Sequence, residues 1–141
     1  MSILEVKNVS KHFPIKRGFL RKSTETVQAV RNVSFRIGYG ESYGVVGESG
    51  SGKTTLARVV LRLIDPTEGD ILFEDTNLAK LDPETLRQLR RDMQMIFQDP
   101  YASLNPRQTV NSIISEGLRI HNIGNNQTRQ ERVNELLQLV G

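Results

Sequence analysis

Residues 47–54 read Gly47-Glu48-Ser49-Gly50-Ser51-Gly52-Lys53-Thr54, and the fold is decided here. The stretch fits the phosphate-binding pattern G-x-x-x-x-G-K-[ST], with an additional glycine at position 50. Glycines let the backbone wrap a phosphate group without side-chain collisions, and the exposed N–H groups then turn inward as an anion nest. Lys53 is long enough to reach β/γ-phosphate oxygens, and the Thr54 hydroxyl is suited to ligating Mg²⁺. A helix that starts at this point adds its positive N-terminal end to the same site. The pattern names a ligand class, nucleotide phosphates, and leaves the reaction open.

The flanks match the motif. Glu41-Ser42-Tyr43-Gly44-Val45-Val46 ends in a short apolar run that predicts a buried parallel strand, and Leu56, Val59, Val60 and Leu63 fall at helical spacing. A chance glycine-rich turn with this spacing and these flanks is the weaker reading.

Upstream, Ile3, Leu4, Val6 and Val9 predict a first strand, residues 14–25 a loop, and Val27 to Ile37 a second, longer strand. Downstream, Pro66 and Gly69 stop the first helix, and residues 70–74 predict a further strand. Asp82-Pro83 opens a second helix, aspartate as N-cap and proline at the first helical position. Met93 to Phe97 predict a short strand, residues 98–107 an irregular stretch, and residues 109–121 and 128–140 two more helices. Strands alternating with helices argue for an α/β core, and the opening strands for a small antiparallel β layer beside it.

Composition bounds the class. The chain has 141 residues, enough for one domain with its own core. Its 37% hydrophobic and 25% charged content suits a soluble globular protein. No apolar run approaches membrane-spanning length, and Glu5 and Lys7 interrupt the opening apolar residues, so no signal peptide is expected. Without cysteine there is neither a disulfide framework nor a thiolate metal site. The net charge of +3 is mild. Basic residues crowd around positions 11–22 and 87–91 without aromatic interleaving, which reads as solvated surface rather than a nucleic-acid interface. His12 and His121 read as surface residues.

A second stretch, Gln98-Asp99-Pro100-Tyr101-Ala102-Ser103-Leu104-Asn105-Pro106-Arg107, follows the expected strand at 93–97. A glutamine at a strand end offers an amide oxygen and an NH₂ group, and so can reach a Mg²⁺-bound or attacking water beside a γ-phosphate. Taken alone, Gln98 is an ordinary loop residue. Its spacing from the phosphate loop changes that judgement.

With both stretches in view, the whole chain resembles the ATP-binding subunits of ABC transporters, most closely the oligopeptide/dipeptide importer group. The opening Leu4-Glu5-Val6-Lys7-Asn8-Val9-Ser10-Lys11-His12-Phe13-Pro14 looks like that group's start. Residues 46–56 are similar to its Walker A segment and residues 93–107 to its Q-loop. The resemblance implies a P-loop NTPase fold, an ABC-type nucleotide-binding domain. Residues 1–97 would form its β layer and P-loop core, and residues 98–141 its Q-loop and the start of a helical subdomain. It implies ATP and Mg²⁺ as ligands. Phe13 would stack on adenine. Gly47, Glu48, Ser49, Gly50, Ser51 and Gly52 would cradle the phosphates with Lys53. Thr54 would hold Mg²⁺, Thr55 would contact the α-phosphate, and Gln98 would sense the γ-phosphate and the metal as the catalytic-site member. The implied partners are transmembrane permease subunits and a second ATP-binding subunit, at the cytoplasmic face of the plasma membrane, with no nucleic acid and no span of its own.

The family's signature motif, Walker B carboxylates and switch histidine lie further along than residue 141. Residues 1–141 therefore correspond to the N-terminal part of such a domain, with the C-terminal half absent, and are expected to bind ATP without hydrolysing it. Two other readings stay open: a stand-alone nucleotide-binding or regulatory module, and a different P-loop enzyme such as a kinase or GTPase.

Overall fold

Apolar, β-branched-rich opening segments that alternate over short runs, as at Val33-Phe35-Ile37, form a long antiparallel ribbon. In a computed structural model, which describes residues 2–16, 24–99 and 103–141, β1 spans Ser2–Lys16 and β2 spans Thr24–Gly38. Val6 faces Phe35, Phe13 faces Val27, and the ladder continues to Lys16 opposite Thr24. Both strands therefore run into the segment expected to be a loop; residues 17–23 of that segment lie outside the described residues. β3 (Glu68–Phe73) pairs with β1 from Leu4 to Ser10, and β4 (Thr76–Asn77) closes the order β2-β1-β3-β4. Beyond Ser10, among the described residues, β1 pairs with β2 and no longer with β3. Pro14 consequently sits where one side of the strand needs no backbone donor.

The ribbon is not regular. Its register shifts between Val6 and Val9 and again between Val9 and Lys11. Asn8 and Asn32 take φ values of 48° and 47° at these irregularities, a conformation asparagine tolerates better than most residues. Side chains from the opposite strand satisfy the displaced backbone. Ser34 Oγ accepts from Asn8 N at 2.8 Å, and Ser10 Oγ accepts from Asn32 N at 3.0 Å. A further skip sets Lys11 opposite Val30 and His12 opposite Gln28, leaving Ala29 as the extra residue.

Two compact units divide the chain, residues 1–87 and residues 88–141. In the first, Val6, Val9, Val30 and Ile71 of the sheet are buried, as are Leu56, Val59 and Val60 of α1 (Lys53–Val60). Helix α1 ends sooner than its apolar spacing predicts. Arg62 turns to φ 49°, and its guanidinium donates to the carbonyls of Leu78 and Leu81. This ties the end of α1 to the 3₁₀ turn Leu78–Lys80, whose Leu78 is fully buried. Leu63, left beyond the helix, is exposed. Helix α2 (Pro83–Leu89) starts where expected: Asp82 Oδ1 accepts from the N–H groups of Glu84 and Thr85.

The second unit holds α3 (Val110–Ile120) and α4 (Asn126–Val140). Thr109 caps α3 through Ser112 N. Asn125 and Thr128 form a reciprocal capping box, so α4 begins two residues before the apolar spacing suggests. Val133 is fully buried, and Asn111 Nδ2 donates to Gln130 Oε1 at 2.7 Å between the two helices.

Two expected strands are not formed. Residues 41–48 and 93–97 belong to no sheet, and Val46 and Ile96 are 97% and 96% exposed. The reason is physical: a strand is defined by its neighbour, and these apolar runs have no partner among the described residues. Within the first run, Tyr43 stacks on Phe35 with ring centroids 4.9 Å apart.

Candidate functional site

The glycine stretch 47–52 builds a loop whose shape depends on missing side chains. Gly52 is the N-cap of α1 and takes φ 93°. A methyl group there would collide with the carbonyl oxygen of Ala29, the extra residue of the β2 bulge, inside the 3.0 Å that Cβ atoms keep. The strand irregularity and the third glycine thus meet: the bulge carries its carbonyl up to the loop, and only hydrogen fits between. Gly50 takes φ 79° with open space around it, and Ser51 N donates to Glu48 O at 3.2 Å to close the turn. Leu56 N donates to Gly52 O at 2.8 Å as the helix begins.

Lys53 folds back over the loop it terminates. Its Nζ donates to the carbonyl oxygens of Gly47 and Glu48, each at 2.6 Å, and lies 3.4 Å from Ser51 Oγ. A cation is thereby fixed at the loop's centre by the loop's own backbone. The start of α1 brings its first N–H groups and positive dipole end to the same place. Thr54 is exposed next to it in the chain, and Thr55 is half-buried. Residues 50–55 line a cleft of about 450 Å³ whose opposite wall is Val27, Gln28 and Ala29 of β2.

Phe13 is 37% exposed and pairs across the ribbon with Val27, so it stands beside the residue that walls the cleft. Glu48 and Ser49 are exposed at the loop's tip. Gln98 is exposed in the irregular stretch of the second unit. Among the described residues no group of three or more histidine and carboxylate side chains forms a metal cage. A hydroxyl-plus-phosphate arrangement fits Mg²⁺ better than an all-protein site would.

Three features of the site escape the sequence reading. Val27, Gln28 and Ala29 as the facing wall follow from the register of β2 against β1, which neither strand's own pattern specifies. The tether of Lys53 to two loop carbonyls and the bulge at Ala29 have no local sequence signal.

Residues 30–141 match the ABC transporter family. The chain is 48% identical over 141 residues to the oligopeptide transport ATP-binding protein AppF of Bacillus subtilis, covering 99% of this chain and 43% of that protein. It is 46% identical over 139 residues to the glutathione import ATP-binding protein GsiA of Escherichia coli, covering 99% of this chain and 22% of that one. Among solved structures it is similar to the ATP-binding cassette MJ0796, described as a dimer in a post-hydrolysis state bound to ADP and Pi. The TM-score is 0.77 at 30% identity, over 96% of this chain and 56% of that one. The chain thus spans less than half the length of these curated relatives.

Proposed function

Because the chain belongs to the ABC transporter family, we propose that its glycine loop binds the phosphates of ATP together with Mg²⁺, as the nucleotide-binding part of an importer for peptides or similar solutes. One observation carries this reading. The Lys53 ammonium is held over the loop by the carbonyls of Gly47 and Glu48, so a positive charge is already fixed where the β/γ oxygens would enter. The backbone N–H groups of Gly50, Gly52, Lys53 and Thr54 supply the remaining donors, and the start of α1 adds its dipole. Mg²⁺, when bound, neutralises phosphate charge; Thr54 would hold it, with Gln98 as the second protein ligand and γ-phosphate sensor. Thr55 would face the α-phosphate. Phe13 would carry the adenine ring on the side of the cleft walled by Val27.

Binding alone does not accelerate hydrolysis. A cradle that holds ATP and its transition state equally lowers no barrier, and phosphoryl transfer also needs a metal-binding carboxylate and a positioned water. Residues 1–141 by themselves are therefore proposed to bind without sustained turnover. In the assembled transporter, the segment after Gln98 and the helices α3 and α4 would meet a transmembrane permease subunit, and a second ATP-binding subunit would complete the pair. Among the described residues no helix is long and apolar enough to cross a membrane; the place proposed for the chain is that of a peripheral subunit at the cytoplasmic face.

The test is a titration of the chain and of Lys53→Ala with a fluorescent ATP analogue in Mg²⁺. Loss of at least tenfold in affinity with an unchanged circular dichroism spectrum is expected. Equal affinity of the two folded proteins would sink the assignment.

A further inference from the structure

Lys11 and Phe13 stand two residues apart on β1, so both side chains leave the same face of the strand. Lys11 Nζ lies 5.2 Å from the centroid of the Phe13 ring, within the range of a cation–π contact. The ammonium is also anchored, donating to the carbonyl oxygen of Asp65 at 2.7 Å. The segment that carries Asp65 is itself fastened to β1. Thr67 N donates to Ser10 O at 2.8 Å, and Thr67 Oγ1 accepts from His12 N at 3.0 Å. The cation over the ring is thus held from the connector that follows α1, the helix that starts at the phosphate loop.

We propose that Lys11 is a positioning residue for the purine base of the bound nucleotide. It covers one face of the Phe13 ring, fixes the ring's angle and leaves the far face as the platform on which the base stacks. The proposal rests on the reading of Phe13 as the base-stacking residue. Lys11 also polarises the ring, and a polarised aromatic platform favours a stacked partner over an edge-on one. The phosphates play no part in this contact, so the effect of Lys11 belongs to the base and not to the triphosphate.

The experiment compares affinities for MgATP and for magnesium tripolyphosphate, which lacks base and sugar, in the full chain and in Lys11→Met, Lys11→Arg and Phe13→Ala. Lys11→Met should weaken MgATP about threefold and leave tripolyphosphate unchanged. Lys11→Arg should restore MgATP binding. Adding Lys11→Met to Phe13→Ala should produce no further loss. A readout without ligand is also at hand. The chain has no tryptophan, so Phe13→Trp introduces a single indole, whose emission should shift when Lys11 becomes Met. If Phe13→Ala lowers the ratio of ATP to tripolyphosphate affinity while Lys11→Met does not, the role of Lys11 is wrong and that of Phe13 stands. If Phe13→Ala leaves the ratio unchanged, both readings fall. Equal weakening of both ligands by Lys11→Met would overturn the proposal by making Lys11 a general phosphate or structural contact.

Discussion

Replacing Gly52 by alanine asks how strictly the β2 bulge supports the phosphate loop, and Gly50→Ala is the internal control. Both positions have positive φ, 93° and 79°, so both alanines carry a left-handed strain of about 1–2 kcal/mol. Both also gain back about 0.4–1 kcal/mol from the stiffer unfolded chain. These contributions cancel in the difference. What remains is space: around Gly50 nothing lies within 4 Å of an added methyl, whereas at Gly52 the methyl meets the Ala29 carbonyl well inside 3.0 Å. That contact is backbone on backbone and cannot be relieved by a rotamer change, so loop and strand must part. Overpacking of this kind costs about 1–3 kcal/mol. Gly52→Ala should therefore unfold with a stability lower than that of Gly50→Ala by that amount, measured by urea denaturation followed by far-UV circular dichroism. Nucleotide affinity should fall with it, because the displaced loop no longer aligns its N–H groups. If the two variants agree to within about 0.5 kcal/mol, roughly the scatter of independent surface substitutions, the loop does not rest on β2.

Three further outcomes follow from the same geometry. Thr54→Ala should abolish most of the Mg²⁺ dependence of ATP binding while leaving metal-free binding intact, as titrations with Mg²⁺ and with EDTA would show; an undiminished Mg²⁺ effect would remove Thr54 from the metal site. The Asp82 carboxylate is held below its ordinary range chiefly by the Thr85 hydroxyl and then by the Thr85 backbone N–H. Its cap therefore stabilises α2 at and above the ordinary carboxylate range and fades as pH falls through the lowered value. Asp82→Asn should flatten that acidic limb of a stability–pH profile, and an unaltered limb would count against the cap. Val133→Ala, in the fully buried position of α4, should cost about 2 kcal/mol by thermal denaturation, and a loss below about 0.5 kcal/mol would mean that the helix pair packs elsewhere.

Local rules made much of this molecule legible. Alternation at Val33-Phe35-Ile37 predicts β2, Asp82-Pro83 predicts the start of α2, and the i, i+3, i+4, i+7 spacing around Val133 predicts α4; each depends on neighbours close in sequence. The strands expected at 41–46 and 93–97 depend on something else. Their apolar residues are suited to a sheet interior, but pairing is a property of two segments, and the same letters stay unpaired where no partner lies alongside. At the site, the glycines, Lys53 and Thr54 are readable because their spacing encodes a mechanism. The facing wall is not, because it arises from a register skip at Ala29 that brings a distant carbonyl to Gly52.

The unpaired lead-in at residues 41–48 sets a clock as well as a shape. Its amide hydrogens belong to no ladder, so in deuterated water they should exchange on the timescale of an open loop, while those of β1, β2 and α1 outlast them. The phosphate loop thus lies between a hydrogen-bonded helix and an approach outside any ladder. A ligand that grips Gly47 and Lys53 must quiet the approach as it binds, and part of its interaction free energy is consumed in that ordering. Deuterium uptake at Tyr43 to Val46, followed with and without nucleotide, would then report occupancy of a site that none of those residues needs to touch.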